Sequence, residues 1–156
     1  MKKTNKELLF ERMHTVGGMP LKEFEITNTT KTNIKYQSLI DFIGESKGYS
    51  IYLHTTDTVE NAKSICENGL EFKDFDKTTD SINSVDALVY NLNIRRDYGN
   101  FTVIIQISGN ISNYETISRK GYDKNNEEIF ILPPQYIKGY FDRTTYKIFA
   151  NPLFIE

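Results

Sequence analysis

Histidine and cysteine are scarce in this sequence, which contains two histidines, His14 and His54, and one cysteine, Cys66. A nucleophilic cysteine–histidine pair would have to join Cys66 to one of these histidines. The pattern around Cys66 predicts a helix whose apolar face includes the thiol, and buried thiols are usually inert. The three side chains are also too widely spaced along the chain for a structural zinc site. Cysteine and zinc chemistry are therefore both disfavoured.

His54 and a pair of glutamates remain as candidates for catalysis. His54 ends a short apolar strand predicted at 50–54, and a helix follows directly. Glu127 and Glu128 open a later strand that runs to Leu132. Neighbours in a strand point to opposite faces, so only one of the two glutamates can enter a given cleft. Apolar residues follow both of them at a spacing of two, so the alternation alone does not choose between them.

The order of these elements resembles that of the ADP-ribosyltransferase superfamily, in its poly-ADP-ribose polymerase-like and bacterial toxin-like branch. In that branch a strand ends in His-Gly-Ser or His-Gly-Thr, and the helix after it ends in glycine and an apolar residue. A late strand is opened by the catalytic glutamate. The segments YLHTT, ENAKSICENGLEF and NEEIFILPPQYIKGYFD have this shape, although Thr55 stands where the family usually has glycine. The resemblance covers residues 49–149.

This resemblance implies an enzyme that uses NAD as its substrate and transfers ADP-ribose to an unknown protein or nucleic-acid acceptor. The family's glutamate lies directly before the apolar run, which selects Glu128 as a catalytic residue. His54 is implied to be both catalytic and NAD-binding, and we expect it on a strand adjacent or nearly adjacent to that of Glu128, in one pocket. The further candidates for binding NAD are Thr55, Tyr90, Arg95 and Tyr98.

Each residue type suits one part of NAD. A carboxylate stabilises the positive charge that develops on the ribose as neutral nicotinamide leaves. A histidine hydrogen-bonds to a ribose hydroxyl while the protein fixes its other ring nitrogen, and a tyrosine stacks on the nicotinamide ring. Arg95 or Arg96 reaches the pyrophosphate. Tyr90, Tyr98 and the pair Thr78 and Thr79 compete for the motif that the family has in the middle of the domain.

The elements that would position these residues predict an α+β domain with a mixed, mostly antiparallel sheet and flanking helices. Apolar residues at helical spacing predict helices at 6–14, 36–43 and 84–97, and a further helix between a capping box at Asp57 and Glu60 and a stop at Gly69. A polar loop is predicted at 27–33. The predicted strands, besides those at 50–54 and Glu128–Leu132, are Phe101–Ser108 and a hairpin of 137–141 with 146–149.

The composition limits the class of protein. With 156 residues, of which 38% are apolar and 26% are charged, the chain is typical of one globular domain, here 1–156, with an N-terminal helical segment at 1–45 and a transferase-like core at 49–149. The net charge of -2 argues against non-specific binding of nucleic acid as the main activity.

Charged residues interrupt the basic N-terminal stretch before it becomes a signal peptide, and no apolar run could cross a bilayer. We expect a cytoplasmic protein, or one exported without an N-terminal signal, that does not act at a membrane.

Two alternatives remain open at this level. An RNA 2′-phosphotransferase of the same superfamily would need several arginines around His54, and the sequence near His54 has few. A non-catalytic module that keeps the fold and binds a protein or a nucleotide is favoured by Thr55 and by the absence of an obvious middle motif. The sequence does not distinguish a toxin from a regulator or a phage factor, and it does not indicate an oligomeric state.

Overall fold

The computed structural model describes residues 15–16, 19–20, 36–44, 49–108 and 118–155. Its helices are α1 (Gln37–Ile43), α2 (Val59–Asn68), α3 (Phe75–Thr78) and α4 (Val85–Ile94). Its strands are β1 (Thr15–Val16), β2 (Met19–Pro20), β3 (Tyr49–Thr56), β4 (Leu70–Phe72), β5 (Asp80–Ile82), β6 (Phe101–Ser108), β7 (Ser118–Tyr122), β8 (Glu128–Leu132), β9 (Ile137–Asp142) and β10 (Lys147–Ala150). The predicted α+β class is confirmed. The predicted helix at 6–14 and loop at 27–33 lie outside the described residues.

A five-stranded sheet with the order β10-β9-β6-β3-β5 forms the centre of the fold. Its strands pair antiparallel throughout. The middle strand, β6, is buried on both of its faces, from Val103 to Ile107. A short continuous apolar run is typical of a strand covered on both sides, and Val103 to Ile105 form such a run in the middle of β6.

A second sheet has the order β4-β8-β7 and is also antiparallel. The prediction of one mixed sheet is therefore wrong for the described strands. The three-residue β4 is too short to show an alternating pattern, so its pairing with β8 cannot be predicted from the pattern of residues. The strands β1 and β2 form a separate antiparallel pair within the segment predicted to be helical. Thr15 and Val16 are β-branched, which favours an extended backbone.

The two sheets and the helices pack in layers around two apolar clusters. One cluster joins α1 and α4 to one face of the five-stranded sheet, and it includes Leu39, Leu88 and Ile104. The other cluster joins α2 and the three-stranded sheet to the opposite face, and it includes Tyr52 and Phe130. The five-stranded sheet is thus covered on both faces, and the three-stranded sheet faces one of them.

Helix α2 begins and ends at residues that fix where β3 and β4 meet it. Its N-cap is Thr58, whose hydroxyl accepts a hydrogen bond from the Asn61 backbone N–H at 3.1 Å. The predicted capping box at Asp57 and Glu60 is therefore wrong by one residue, because the threonine hydroxyl reaches this N–H directly. The helix ends at Gly69, as predicted, with φ 96° and its N–H bonded to the Ile65 carbonyl.

None of the helices in the described ranges is long and apolar enough to cross a membrane.

Candidate functional site

His54 lies near the end of β3, where its ring is held in one orientation. Its Nδ1 is 2.8 Å from the carbonyl oxygen of Thr78, in the last turn of α3. A carbonyl oxygen only accepts hydrogen bonds, so Nδ1 carries the proton in this pair. In the neutral ring, Nε2 then has a lone pair and can accept a hydrogen bond from a ligand hydroxyl. The protein thus fixes one ring nitrogen of His54 and leaves the other for a ligand, which is the arrangement expected of a histidine that binds a ribose hydroxyl.

Four of the residues predicted to bind NAD meet in one cavity of about 290 Å³, which we call the Tyr98 pocket. These four come from two separate parts of the chain, the end of β3 and the turn after α4. The full lining consists of His54, Thr55, Lys77, Thr78, Asp80, Arg95 and Tyr98. The structure therefore brings together the predicted histidine, threonine, arginine and one of the two predicted tyrosines.

The Arg95 guanidinium is paired with Asp80 inside this pocket. Arg95 Nε lies 3.0 Å from Asp80 Oδ2, and Nη2 lies 2.9 Å from Oδ1, which is the two-pronged geometry that planar guanidinium and carboxylate groups favour. The hydrogen bonds that Arg95 donates to the Asp80 carboxylate, together with the negative charge of that carboxylate, raise the pKa of Arg95 above its ordinary value. The Arg95 charge is thus already balanced, which weakens its predicted role at a pyrophosphate.

Arg95 also supports the ring of Tyr98. Its guanidinium carbon lies 5.3 Å from the centre of that ring, within the range of a cation–π contact. The Tyr98 side chain is 63% exposed, so most of its surface remains open to a ligand. Asp80, Arg95 and Tyr98 therefore form a stack in which the carboxylate fixes the arginine and the arginine fixes the tyrosine.

Gly99 brings this stack to the end of β3. Its φ is 145°, and a Cβ added there would lie 2.2 Å from the Thr56 carbonyl oxygen, so only glycine permits this approach of two backbones. Arg143 holds the same turn from the other side: its Nη1 donates to the Gly99 carbonyl at 3.3 Å and its backbone N–H donates to the Asn100 carbonyl at 2.8 Å. The glycine directly after Tyr98 is therefore the local signal in the sequence for this close approach.

Lys77 is a residue that sequence reasoning missed. It is exposed on α3, lines the Tyr98 pocket, and also lines a neighbouring cavity of about 420 Å³. None of the ion pairs found in the described part of the chain involves Lys77. Of the two cations in the Tyr98 pocket, Lys77 is therefore the one whose charge is available to a ligand.

Glu128 lies apart from this pocket, as the first residue of β8. The prediction that it lies on a strand adjacent to that of His54 is wrong, because β8 pairs with β4 and β7 and belongs to the other sheet. Alternation along β8 nevertheless places Glu128 on the same face as Phe130 and Leu132, which pack in one cluster with Tyr52. Tyr52 precedes His54 by two positions on β3. Glu128 and His54 thus lie on the two sheet faces that are directed towards each other.

Its neighbour Glu127 is directed away from that cluster. The Glu127 carboxylate is exposed and lies 3.7 Å from Lys73 Nζ, which also contacts Asp123. Hydrogen bonding to Lys73 and to the Glu127 backbone holds the pKa of Asp123 below its ordinary value. Of the adjacent glutamates, Glu128 is therefore the one on the face between the sheets, where its residue is half-buried.

Two further candidates lie outside the pocket. Tyr90 is 67% exposed on α4 and does not line the Tyr98 pocket, so the structure does not bring it to the other candidates. Cys66 is buried, as predicted, and burial, with a smaller contribution from Glu67, raises the pKa of its thiol to about 11. Among the described residues, no group of three or more histidine, cysteine, aspartate or glutamate side chains could hold a metal ion.

Comparison of the chain with family models, with curated proteins and with solved structures found no match. Any statement about activity therefore depends on the chemistry of the Tyr98 pocket and on the order of the surrounding elements.

Proposed function

We propose that this protein binds NAD and transfers its ADP-ribose to an acceptor. The observation that carries the proposal is the Tyr98 pocket, where a histidine with one nitrogen fixed by Thr78 lies beside an exposed aromatic ring and an available cation. The element order supports it as well. Strand β3 contains His54 near its end, α2 ends at Gly69, and β8 opens with Glu128 and turns through two prolines into β9.

In this proposal, three residues of the pocket, His54, Tyr98 and Lys77, each bind one part of NAD. His54 Nε2 accepts a hydrogen bond from a ribose hydroxyl, because Nδ1 is already committed to the Thr78 carbonyl. The Tyr98 ring stacks on the nicotinamide, supported from behind by Arg95. Lys77, and not Arg95, attracts the pyrophosphate, since the charge of Arg95 is balanced by Asp80. Thr55, in the family's glycine position, lines the same pocket.

Glu128 supplies the negative charge that the reaction needs. As the bond to nicotinamide breaks, positive charge develops on the ribose, and a carboxylate that faces it stabilises the transition state more than the ground state. At ~4 Å and an effective dielectric of ~20 this attraction is about 4 kcal/mol, which corresponds to roughly a thousandfold in rate. NAD would have to extend from the Tyr98 pocket towards the face of β8 for this contact to form.

The test is the release of nicotinamide from NAD by the purified protein, with water as the default acceptor. We expect Glu128→Gln to lose turnover on the order of a thousandfold with little change in unfolding midpoint, because the amide keeps the size of the side chain but not its charge. Glu127→Gln is the matched control, one position away on the exposed face, and should retain wild-type turnover. Equal and small effects from both variants would remove Glu128 from the mechanism.

One observation favours the non-catalytic alternative: among the described residues, Glu128 lines neither of the two pockets that His54 lines. A protein that binds NAD with His54-dependent affinity but releases no nicotinamide would be such a module. The 2′-phosphotransferase alternative is less well supported, because the one arginine in the Tyr98 pocket is already paired with Asp80.

A further inference from the structure

A second cavity shares His54 with the Tyr98 pocket. It has a volume of about 570 Å³, and we call it the polar pocket because most of the side chains that line it are polar. Besides His54, these polar side chains are Thr56, Asn61, Ser64, Asn68, Glu71 and Lys120. Its walls come from β3, α2, β4, β7 and β8, which are fixed elements of the fold, so the cavity is formed before any ligand arrives.

The two pockets lie on different sides of the end of β3. Successive residues of a strand point to opposite faces, and accordingly Thr55 lines the Tyr98 pocket and Thr56 lines the polar pocket. His54 lines both. A ribose held by His54, with its nicotinamide on Tyr98, would therefore have the polar pocket on the side away from the leaving group. An incoming nucleophile needs this position to displace nicotinamide in line.

We propose that the polar pocket binds the acceptor, and that the acceptor group is the uncharged hydroxyl of a protein side chain, serine or threonine. This inference rests on the proposed transfer from NAD. Two features of the pocket point to this chemistry: the hydrogen-bonding character of its walls and its balance of charge.

The walls of the polar pocket offer hydrogen-bond acceptors alongside donors. The side-chain N–H group of Asn61 donates to Asp57 Oδ1 at 3.2 Å, and that of Asn68 donates to Ser64 Oγ at 3.3 Å. Both amides are thus oriented, and their carbonyl oxygens remain as acceptors. A ligand that donates a hydrogen bond, such as a hydroxyl group, matches these oxygens.

The charges in the polar pocket cancel. Glu71 and Lys120 form an ion pair across it. The nearby exposed surface of α2 carries Glu60 and Glu67 and a single cation, Lys63. A phosphate backbone needs several available cations, and a charged acceptor side chain needs an unbalanced opposite charge, so neither finds a partner here. The pocket therefore favours a neutral protein side chain over nucleic acid.

The groups that line the two pockets account for each bond and proton that changes in the transfer step. The bond between the ribose carbon and the nicotinamide nitrogen breaks, and its electron pair stays with nicotinamide, which leaves as a neutral molecule. The hydroxyl oxygen of the acceptor forms the new bond to the same carbon. Its proton passes to the Glu71 carboxylate, the acidic group that lines the polar pocket.

The experiment fills the polar pocket and compares transfer with hydrolysis. Ser64→Trp places an indole in the pocket from an exposed position of α2, and Lys63→Trp, the neighbouring exposed position outside the pocket, is the matched control. Each protein is incubated with NAD and an excess of N-acetylserine amide, and the ADP-ribosylated amide, free ADP-ribose and nicotinamide are quantified by mass spectrometry. N-acetylglutamate amide and N-acetylarginine amide serve as charged probes, and a short RNA serves as the nucleic-acid probe.

We expect the wild type and Lys63→Trp to modify the serine probe in preference to the others. Ser64→Trp should lose at least tenfold of that transfer, whereas Lys63→Trp, which lies outside the pocket, should keep both serine transfer and nicotinamide release to water within twofold of the wild type. Equal transfer by both variants, or preferential modification of a charged probe or RNA, would overturn the inference.

A second measurement separates this inference from the proposed function. Saturation-transfer NMR without NAD should show that the serine probe contacts the wild type and Lys63→Trp but not Ser64→Trp. If the serine probe contacts the protein but no nicotinamide is released, the proposed transferase activity is refuted and the polar pocket remains a binding site for hydroxyl groups. Nicotinamide release without contact or serine transfer would retain the transferase and refute the acceptor site.

Discussion

Replacing Gly99 by alanine should separate the Tyr98 pocket from the end of β3. The added Cβ would lie 2.2 Å from the Thr56 carbonyl oxygen, whereas ordinary contacts begin at 3.4 Å, so the turn must move away by about 1.2 Å. The obstacle is backbone and cannot rotate aside. Forcing extra atoms into a packed contact costs about 1–3 kcal/mol, and a non-glycine residue at this positive φ costs a further ~1–3 kcal/mol. We expect a loss of about 2–6 kcal/mol in the free energy of unfolding, measured by urea denaturation.

Gly121→Ala is the control for this prediction. Gly121 has a similar φ of 155°, but a Cβ added there meets no atom within 4 Å. This variant should therefore lose only the backbone-strain contribution, and it should keep the affinity of the wild type for NAD in calorimetry. Gly99→Ala should lose at least tenfold in NAD affinity, since Tyr98 moves with the turn. Equal destabilisation by the two substitutions would show that the contact with Thr56 does not hold the pocket together.

Two further predictions follow from the charges and the thiol. Asp80→Asn removes the carboxylate that pairs with Arg95, so the affinity of the protein for inorganic pyrophosphate, measured by calorimetry, should rise several-fold. The loss of this partly exposed ion pair should lower the free energy of unfolding by at most ~1 kcal/mol. Unchanged affinity would mean that Asp80 does not neutralise Arg95. Cys66 should react with iodoacetamide at pH 8 on the order of a hundredfold more slowly in the folded than in the urea-unfolded protein, because its pKa is raised from 9.0 to about 11. Stability should fall as the pH rises above about 9, since the unfolded thiol then loses its proton before the folded one does; equal reaction rates in both states would show that the thiol is not buried.

The elements that the sequence predicted well are those whose pattern is long or clearly capped. Strand β6 begins with five consecutive aromatic or β-branched residues, Phe101 to Ile105, and α4 follows Ser84, whose hydroxyl accepts from the Ala87 N–H at 3.1 Å. Strands β4 and β5 have three residues each, which is too few for a period of two to be seen. The division into two sheets depends on these short strands, and it could not be predicted.

The candidate site was predictable where it depends on residue type and not where it depends on pairing. His54, Arg95 and Tyr98 were selected by type and position, and they share a pocket. The pairing of Arg95 with Asp80, which reassigns the arginine from phosphate binding to supporting an aromatic ring, joins residues from two elements and leaves no local trace in the sequence. The choice of face for Glu128 likewise needed the pairing of β8 with β4.

The buried amide of Asn151 has a consequence for how the protein forms during synthesis. Its Nδ2 lies 2.9 Å from the Cys66 carbonyl, 3.2 Å from that of Pro134 and 2.9 Å from that of Ile137, so one side chain joins the end of α2 to the start of β9. Strand β3 pairs with β6 and β4 pairs with β8, so neither sheet can close from neighbouring segments alone. A growing chain on the ribosome therefore carries unpaired edges of β3, β4 and β9 until β6, β8 and β10 have emerged, and β10 ends at the residue before Asn151. We expect the nascent protein to depend on chaperones over that interval, because exposed edges of this kind associate with other chains.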